Sequence, residues 1–235
     1  MFYKCKYKNQ QFKKHFHTTY SIGAVISGVH YLKIGKKEFE VKEGEIKIIN
    51  PYELHLPSGE WEYINFMPSV SEIKKASIDI FEKEKLTFKN SIRDFKIFRQ
   101  FFRFYESVDK FEREENFLLL ISQFLKYEEK ECLTLDSKIK DSVEFIHSNF
   151  VNINLDDVAK VSNLSKYHFI RIFAKKKGIT PYQYILNLRI EFARELINKL
   201  PLSIVAQEAG FSDESHMIRE FKKRFGFTPK KLYNS

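Results

Sequence analysis

The chain has 235 residues and a mass of 28.1 kDa, enough for one large domain or two modest ones. Hydrophobic residues make up 43% and charged residues 30%, which excludes a disordered or fibrous chain, and no stretch reaches the roughly 18 to 20 apolar residues of a membrane span. The formal charge of +9 is unevenly placed: residues 138–235 hold 17 Lys and Arg against 10 Asp and Glu, leaving +2 for residues 1–137. A basic excess confined to the C-terminal part points to a polyanionic partner, with a solvated basic face as the plain alternative.

The opening MFYKCKYKNQQFKKHFH is basic but is followed by no apolar run, which argues against secretion. Cys5 and Cys132 are too few for a disulfide scaffold or a four-ligand metal site, so a reducing cytoplasm is the expected compartment; Cys5 reads as exposed near the terminus, without the basic surroundings of a redox sensor. Val29–Ile34, Glu38–Val41 and Glu45–Ile49 alternate apolar with polar residues, separated by turns at Gly35-Lys36-Lys37 and Glu43-Gly44. Asn50-Pro51 stops the pairing, and Trp61–Met67 reads as a further strand of a small antiparallel sandwich or barrel. From about Ser71 the period becomes helical: Ile92, Phe95, Phe98, Phe102 and Tyr105 form one stripe, and Phe117, Leu120, Ile121, Phe124 and Leu125 a second. The phenylalanine stripe reads as packing, and the FLLLI run as either a dimer surface or a central core helix. Glu128–Ser137 is polar and interrupts the stripe, so a linker is placed there, between domains 1–136 and 137–235.

Beyond the linker every segment reads as helical. Ser165 can cap a helix ending at Gly178, Thr180-Pro181 starts the next, and Asp213 caps one ending at Gly226. The segments Ala159–Pro181 and Ala206–Pro229 repeat one pattern, with Arg171 and Arg219 in register and one residue more in the second turn. Each is a short helix, a tight turn and a longer helix, which is a helix-turn-helix in tandem. With Phe169 and Phe173 buried, Lys166, Tyr167, Ile170 and Arg171 face outward; with Met217 and Phe221 buried, Glu214, Ser215, Ile218 and Arg219 do. A major groove admits such a helix, arginine can bond two guanine acceptors, and isoleucine or tyrosine can meet a thymine methyl. Lys175, Lys176, Lys177, Lys222, Lys223 and Arg224 would neutralise phosphates. A connecting helix from Pro181 to about Asn198 spans roughly 27 Å, which suits two recognition helices set near the roughly 34 Å turn of duplex DNA.

These residues carry a family resemblance. L-x-x-V-A (Leu155–Ala159), L-S-x-x-x-F-x-R-x-F (Leu164–Phe173), G-x-T-P-x-x-Y (Gly178–Tyr184), R-x-x-x-A (Arg189–Ala193), the I-V-A-x-x-x-G-F run ending at Phe211 and the F-K-K-x-F-G-x-T-P run ending at Pro229 resemble the AraC/XylS family DNA-binding domain. The resemblance implies sequence-specific binding of double-stranded DNA by Tyr167, Ile170, Arg171, Glu214, Ser215, Ile218 and Arg219, and contact with RNA polymerase.

The region HFHTTYSIG…VKEGEIKIINPYELH is similar, more loosely, to the cupin-like sensor of that family. It implies an α+β two-domain chain, in which an antiparallel β cupin-like domain with appended helices precedes an all-α tandem helix-turn-helix domain. Cupin enzymes hold a metal with two histidines spaced by one residue, a carboxylate and a later histidine; His15, His17 and His55 with Glu43 or Glu53 echo that set. The carboxylate position after the paired histidines holds Thr19-Tyr20, so the expectation is a metal-free, cofactor-free pocket for an unknown small-molecule effector, lined by His15, His17, Tyr20, His55 and Trp61. Trp61, Tyr63 and Phe66 could line a ligand cavity, but such residues are more often core. The expected function is a cytoplasmic effector-responsive transcription activator, not an enzyme, with a homodimer possible through the sensor helices. A cupin-type metalloenzyme with a basic tail is the alternative, and a DNA-repair methyltransferase is opposed by the lack of zinc-binding cysteines.

Overall fold

The computed structural model describes residues 2–8, 10–77, 86–129 and 137–234. The chain divides into two compact units, residues 1–11 with 16–131 and residues 12–15 with 132–235.

The first unit is built on an antiparallel sheet. Its strands are β1 (Phe2–Tyr7), β2 (Ser21–Ile34), β3 (Lys37–Lys42), β4 (Ile46–Ile49), β5 (His55–Phe66) and β6 (Ser91–Ile92), in the order β1-β5-β2-β4-β6 with β3 paired to β2. The register pairs Cys5 with Tyr63, Gly23 with Asn65 and Lys47, and Val25 with Tyr63, and directly paired residues share a face. The skipped residue between Val25 and Ser27 is a bulge that keeps Gly28, His30 and Leu32 on the same face as Ser21 and Gly23. One face is apolar: Ile22, Ala24, Ile46, Ile48, Ile64 and Phe66 pack on α1 (Val70–Ser77), α2 (Phe95–Glu106) and α3 (Lys110–Phe124). The other carries Tyr3, Cys5, Tyr7, Ser21, His30, Lys47, Trp61, Tyr63 and Asn65.

Two elements differ from expectation. The opening segment is a strand, with Lys4 paired to Glu62 at 2.8 Å and Phe2 inserted among Phe66, Phe101, Phe104 and Tyr105 at ring distances of 4.9 to 5.9 Å. Cys5 is therefore buried, not exposed, and Cys132 lies outside the described residues. β5 begins at His55, six residues before the expected start; Pro57 and Gly59 disguise it, and are tolerated because β1 pairs only with residues 61–66 of β5. In α2 the helix is as expected but its buried face is Ile97, Phe101 and Phe104, whereas Phe95 is 72% exposed and Ile92 belongs to β6. The stripe was misassigned because α2 is apolar on more than one side, so period alone does not choose a face. Glu128 bridges Phe88, and the Glu129 amide donates to the Thr87 carbonyl at 2.7 Å; these two residues belong to the first unit, and residues 130–136 of the expected linker lie outside the described residues.

The second unit is helical: α4 (Ser137–Asn149), α5 (Leu155–Val161), α6 (Lys166–Lys177), α7 (Pro181–Leu196), α8 (Leu202–Glu208) and α9 (Glu214–Phe225). Its ends follow the residues that cap them. Thr180 and Gln183 form a reciprocal capping box at the start of α7, the Asp213 carboxylate accepts the His216 amide at 2.7 Å, and Gly178 and Gly226 end α6 and α9 at φ 76° and 79°. Ser165 occupies the cap position before α6, but its hydroxyl makes no capping bond.

Candidate functional site

The repeat seen in the sequence is a repeat of backbone geometry. In each copy one residue of the turn takes the left-handed conformation at the same offset: Asn163 at φ 53° after α5, and Gly210 at φ 77° after α8. The residue that follows closes the turn identically, with the Leu164 amide on the Ala159 carbonyl at 3.2 Å and the Phe211 amide on the Ala206 carbonyl at 2.9 Å. Gly210 has a further reason to be glycine, since a Cβ there would stand 2.4 Å from the Val151 carbonyl oxygen. This offset was legible as Asn and Gly, the two residues most tolerant of that conformation.

The turn fixes which side of the next helix is buried. On α6, Phe169 and Phe173 are fully buried with ring centres 5.4 Å apart and planes tilted by 57°; on α9, Met217 and Phe221 are fully buried in one cluster with Val205, Ala206 and Ala193. The opposite sides carry the expected residues. Lys166, Tyr167, Arg171 and Lys176 are exposed, with Ile170 half-buried; Ser215, Arg219 and Lys223 are exposed, with Glu214 and Ile218 half-buried. Lys166 reaches Asp156 at 2.9 Å, and Lys223 pairs with Glu220.

Arg224 is a correction. It stands at the same helix offset as Lys176, yet it is 5% exposed and paired with Glu191 of α7, and its Nη1 donates to Asn187 Oδ1 at 2.7 Å. It is a structural ion pair within the unit, not a phosphate contact. Lys177 likewise lies inward, 5.8 Å from the centre of the Tyr184 ring. Arg189 donates to the carbonyls of Phe150 and Val151 at 2.9 and 3.0 Å, anchoring α7 to the turn after α4.

In the first unit His17 and His55 are buried with ring centres 5.1 Å apart, whereas His15, also buried, falls with residues 12–15 in the second unit. His15 Nδ1 lies 2.7 Å from the Lys13 carbonyl and His55 Nδ1 lies 3.0 Å from the Glu53 carbonyl. Glu53 Oε2 accepts from Asn50 and Asn90, and burial raises the pKa of that carboxyl. Tyr20 is placed differently from expectation: its ring is fully buried in the core between sheet and helices and its hydroxyl donates to the Leu86 carbonyl at 2.5 Å. Trp61 and Tyr63 sit on the polar-aromatic face, and Phe66 on the apolar one. His30 and Lys47, buried on the same face as Trp61, were not singled out in the sequence, because an isolated lysine inside an alternating strand reads as its solvent side.

Residues 3–121 match the family model described as an AraC-like ligand binding domain, and residues 158–235 match a helix-turn-helix domain. The chain is an AraC-family transcriptional regulator. The regulator is 30% identical to the uncharacterized HTH-type transcriptional regulator YbfI of Bacillus subtilis, over 92% of this chain and 84% of that one. It is 25% identical to the Msm operon regulatory protein of Streptococcus mutans, over 91% and 83%. In fold it is similar to the crystal structure of an apo variant of ToxT from Vibrio cholerae, with TM-score 0.67 at 12% identity over 100% of this chain and 96% of that one. The expected α+β two-domain class, sensor followed by tandem helix-turn-helix, is borne out, and these regulators lend no support to the metalloenzyme alternative. Among the described residues no helix is long and apolar enough to cross a membrane.

Proposed function

We propose that this regulator is an effector-responsive activator in which residues 137–235 read two successive major-groove segments and residues 1–136 sense a small molecule. The observation that carries the DNA reading is the duplicated left-handed turn, which turns Arg171 and Arg219 outward at equivalent positions of α6 and α9. Tyr167, Ile170, Glu214, Ser215 and Ile218 complete the base-reading faces, while Lys166, Lys176 and Lys223 hold phosphates. α7, about 24 Å long at 1.5 Å per residue, is the spacer. Family membership supports contact with RNA polymerase, and Leu118 and Leu119, both more than 40% exposed on α3, offer a homodimer surface.

The effector site belongs on the polar-aromatic face of the sheet, which holds Trp61, with His17 and His55 in the same unit and Tyr20 excluded as a core residue. Selection of sites from random duplex DNA by the full-length protein tests the reading. A two-part sequence motif with its halves about one helical turn apart is expected; binding with no sequence enrichment would overturn it.

A further inference from the structure

A cleft of about 450 Å³ lies in the first unit between α2, the bulge of β2 and the turn that joins β3 to β4. Its lining residues are Ile26, Glu43, Gly44, Phe95, Phe98 and Phe102. Ile26 is the residue that the bulge skips, and the three phenylalanines stand at i, i+3 and i+7 along one side of α2. The volume falls within the range of roughly 300 to 1,000 Å³ that small-molecule sites occupy. None of these residues belongs to the polar-aromatic face that holds Trp61, so the cleft is separate from the effector site placed there.

The wall opposite the rings is held firmly. The Gly44 amide donates to the Val25 carbonyl at 3.1 Å and the Val25 amide to the Glu45 carbonyl at 3.0 Å, which pins the turn to the bulge. The Glu45 carboxylate is committed, since it accepts the Lys42 amide at 3.1 Å and lies 3.6 Å from Arg93 Nε. Lys42 itself pairs with Glu40 at 3.3 Å. Glu43, by contrast, is exposed, and its side chain makes no hydrogen bond or ion pair among the described residues. A Cβ at Gly44 would meet nothing within 4 Å, so the space beside that carboxylate is open.

The rings are not there to build the core, which α2 serves with Ile97, Phe101 and Phe104. Phe95 is largely exposed and Phe98 and Phe102 are half-buried, the last two with ring centres 5.1 Å apart and planes tilted by 49°. Singly exposed apolar residues need no explanation, but three aromatic rings on one side of a helix and in one cleft do. The Arg99 guanidinium, 6.0 Å from the centre of the Phe95 ring, already uses that ring as a cation would, and Arg99 is not itself a lining residue.

The lining decides the occupant. An anion would be repelled by Glu43, and a neutral apolar body would take that carboxylate out of water without a partner. A metal ion would find one side-chain oxygen where calcium takes roughly six to eight. A primary ammonium would bring three N–H donors to a single side-chain acceptor. A quaternary ammonium has no N–H to satisfy, and its diffuse charge is met by ring faces and one carboxylate. We propose that this cleft binds a small quaternary ammonium compound without an acid group, its cationic head between Glu43 and the rings of Phe95, Phe98 and Phe102. The proposal depends on neither the DNA reading nor the effector reading.

The full-length protein is titrated by calorimetry with choline and, in parallel, with the neutral alcohol in which a tert-butyl group replaces the trimethylammonium. Choline should bind saturably and about ten-fold more tightly than its uncharged counterpart. Glu43→Gln should abolish that preference, and Phe95→Leu, which stays apolar but loses the ring face, should weaken choline about three-fold. Both side chains are exposed, so the melting temperature of each ligand-free variant should match that of the parent, which also reports that the variant folds. Saturating choline should slow amide exchange in peptides from the β3–β4 turn and from α2. Equal affinity for the alcohol, no saturable choline binding, unchanged choline affinity in Glu43→Gln, or protection confined to peptides outside the turn and α2 would each overturn the proposal.

Discussion

Replacing Arg224 by alanine separates a structural role from a DNA-binding one. The Arg224 and Glu191 side chains are 4% and 1% exposed, and Asn187 Oδ1 depends on the same guanidinium. Removing one partner of a buried pair costs about 3 to 5 kcal/mol, because the other charge stays buried. Arg194 Nε, 3.3 Å from Glu191 Oε2, remains as a partial partner and brings the cost to the lower end, about 3 kcal/mol. Hydrogen exchange of the full-length protein, read on peptides from α7 and α9, should accelerate about 100-fold, since each 1.4 kcal/mol is a factor of ten. The double variant Glu191→Leu/Arg224→Met should recover most of the protection, as apolar replacements of a buried pair commonly do. The slope of log affinity for DNA against log salt should not change. Unchanged protection in α9, together with a slope smaller by about 0.9, would mean that Arg224 meets a phosphate and that the buried assignment is wrong.

Arg171→Ala and Arg219→Ala should each cost about 1 to 3 kcal/mol on the selected site and relax it at different half-sites, whereas Lys176→Ala should weaken all sequences alike and lower the salt slope by about one contact; selection and salt titration with each variant distinguish them. Gly210→Ala should destabilise the second repeat by more than about 1 kcal/mol in urea melts, because the left-handed backbone and the Val151 carbonyl both oppose a Cβ, while Asn163→Gly should be nearly neutral. The His216 amide, and then the Ser212 hydroxyl, hold the Asp213 carboxyl below the usual carboxylate range. A folded-state pKa below the unfolded one gives stability that is present above the ordinary value near about 4 and lost as pH falls through the folded value. Exchange protection of α9 should therefore hold from neutral pH down to about 4 and decline below it, and Asp213→Asn should keep the cap and remove that decline.

The second unit was legible because its signals are local. Caps such as Asp213, terminal glycines at 178 and 226, and pairs of apolar residues one turn apart fix a helix and its buried side within a dozen residues, so the outward positions of Arg171 and Arg219 followed directly. Arg224 and Lys177 were misplaced for the opposite reason: a basic cluster at a helix end looks uniform until another helix is packed on it, and Glu191 lies 33 residues away. The sheet shows the same limit. β2 and β3 are joined by a tight turn and declare each other, whereas β1 has its partner near residue 66, and nothing nearby in the chain marks FYKCKY as paired. The polar-aromatic face was hidden similarly, since the alternation around Lys47 is the same whether the polar side meets water or the inside of a sensor; only the register with Gly23 and Tyr63 decides.

That long-range pairing of β1 also sets a timetable for synthesis. At roughly 5 to 20 residues per second, the strand must wait several seconds between its own emergence and that of β5, and longer for the helices that receive Phe2. An apolar strand left waiting would be a template for other chains. Lys4 and Lys6 alternate with Tyr3, Cys5 and Tyr7, so a charge stands at every second position along the waiting edge. Their service is thus rendered largely before the native state exists, and apolar replacements there should lower the soluble yield of newly made chains more than they lower the stability of finished ones.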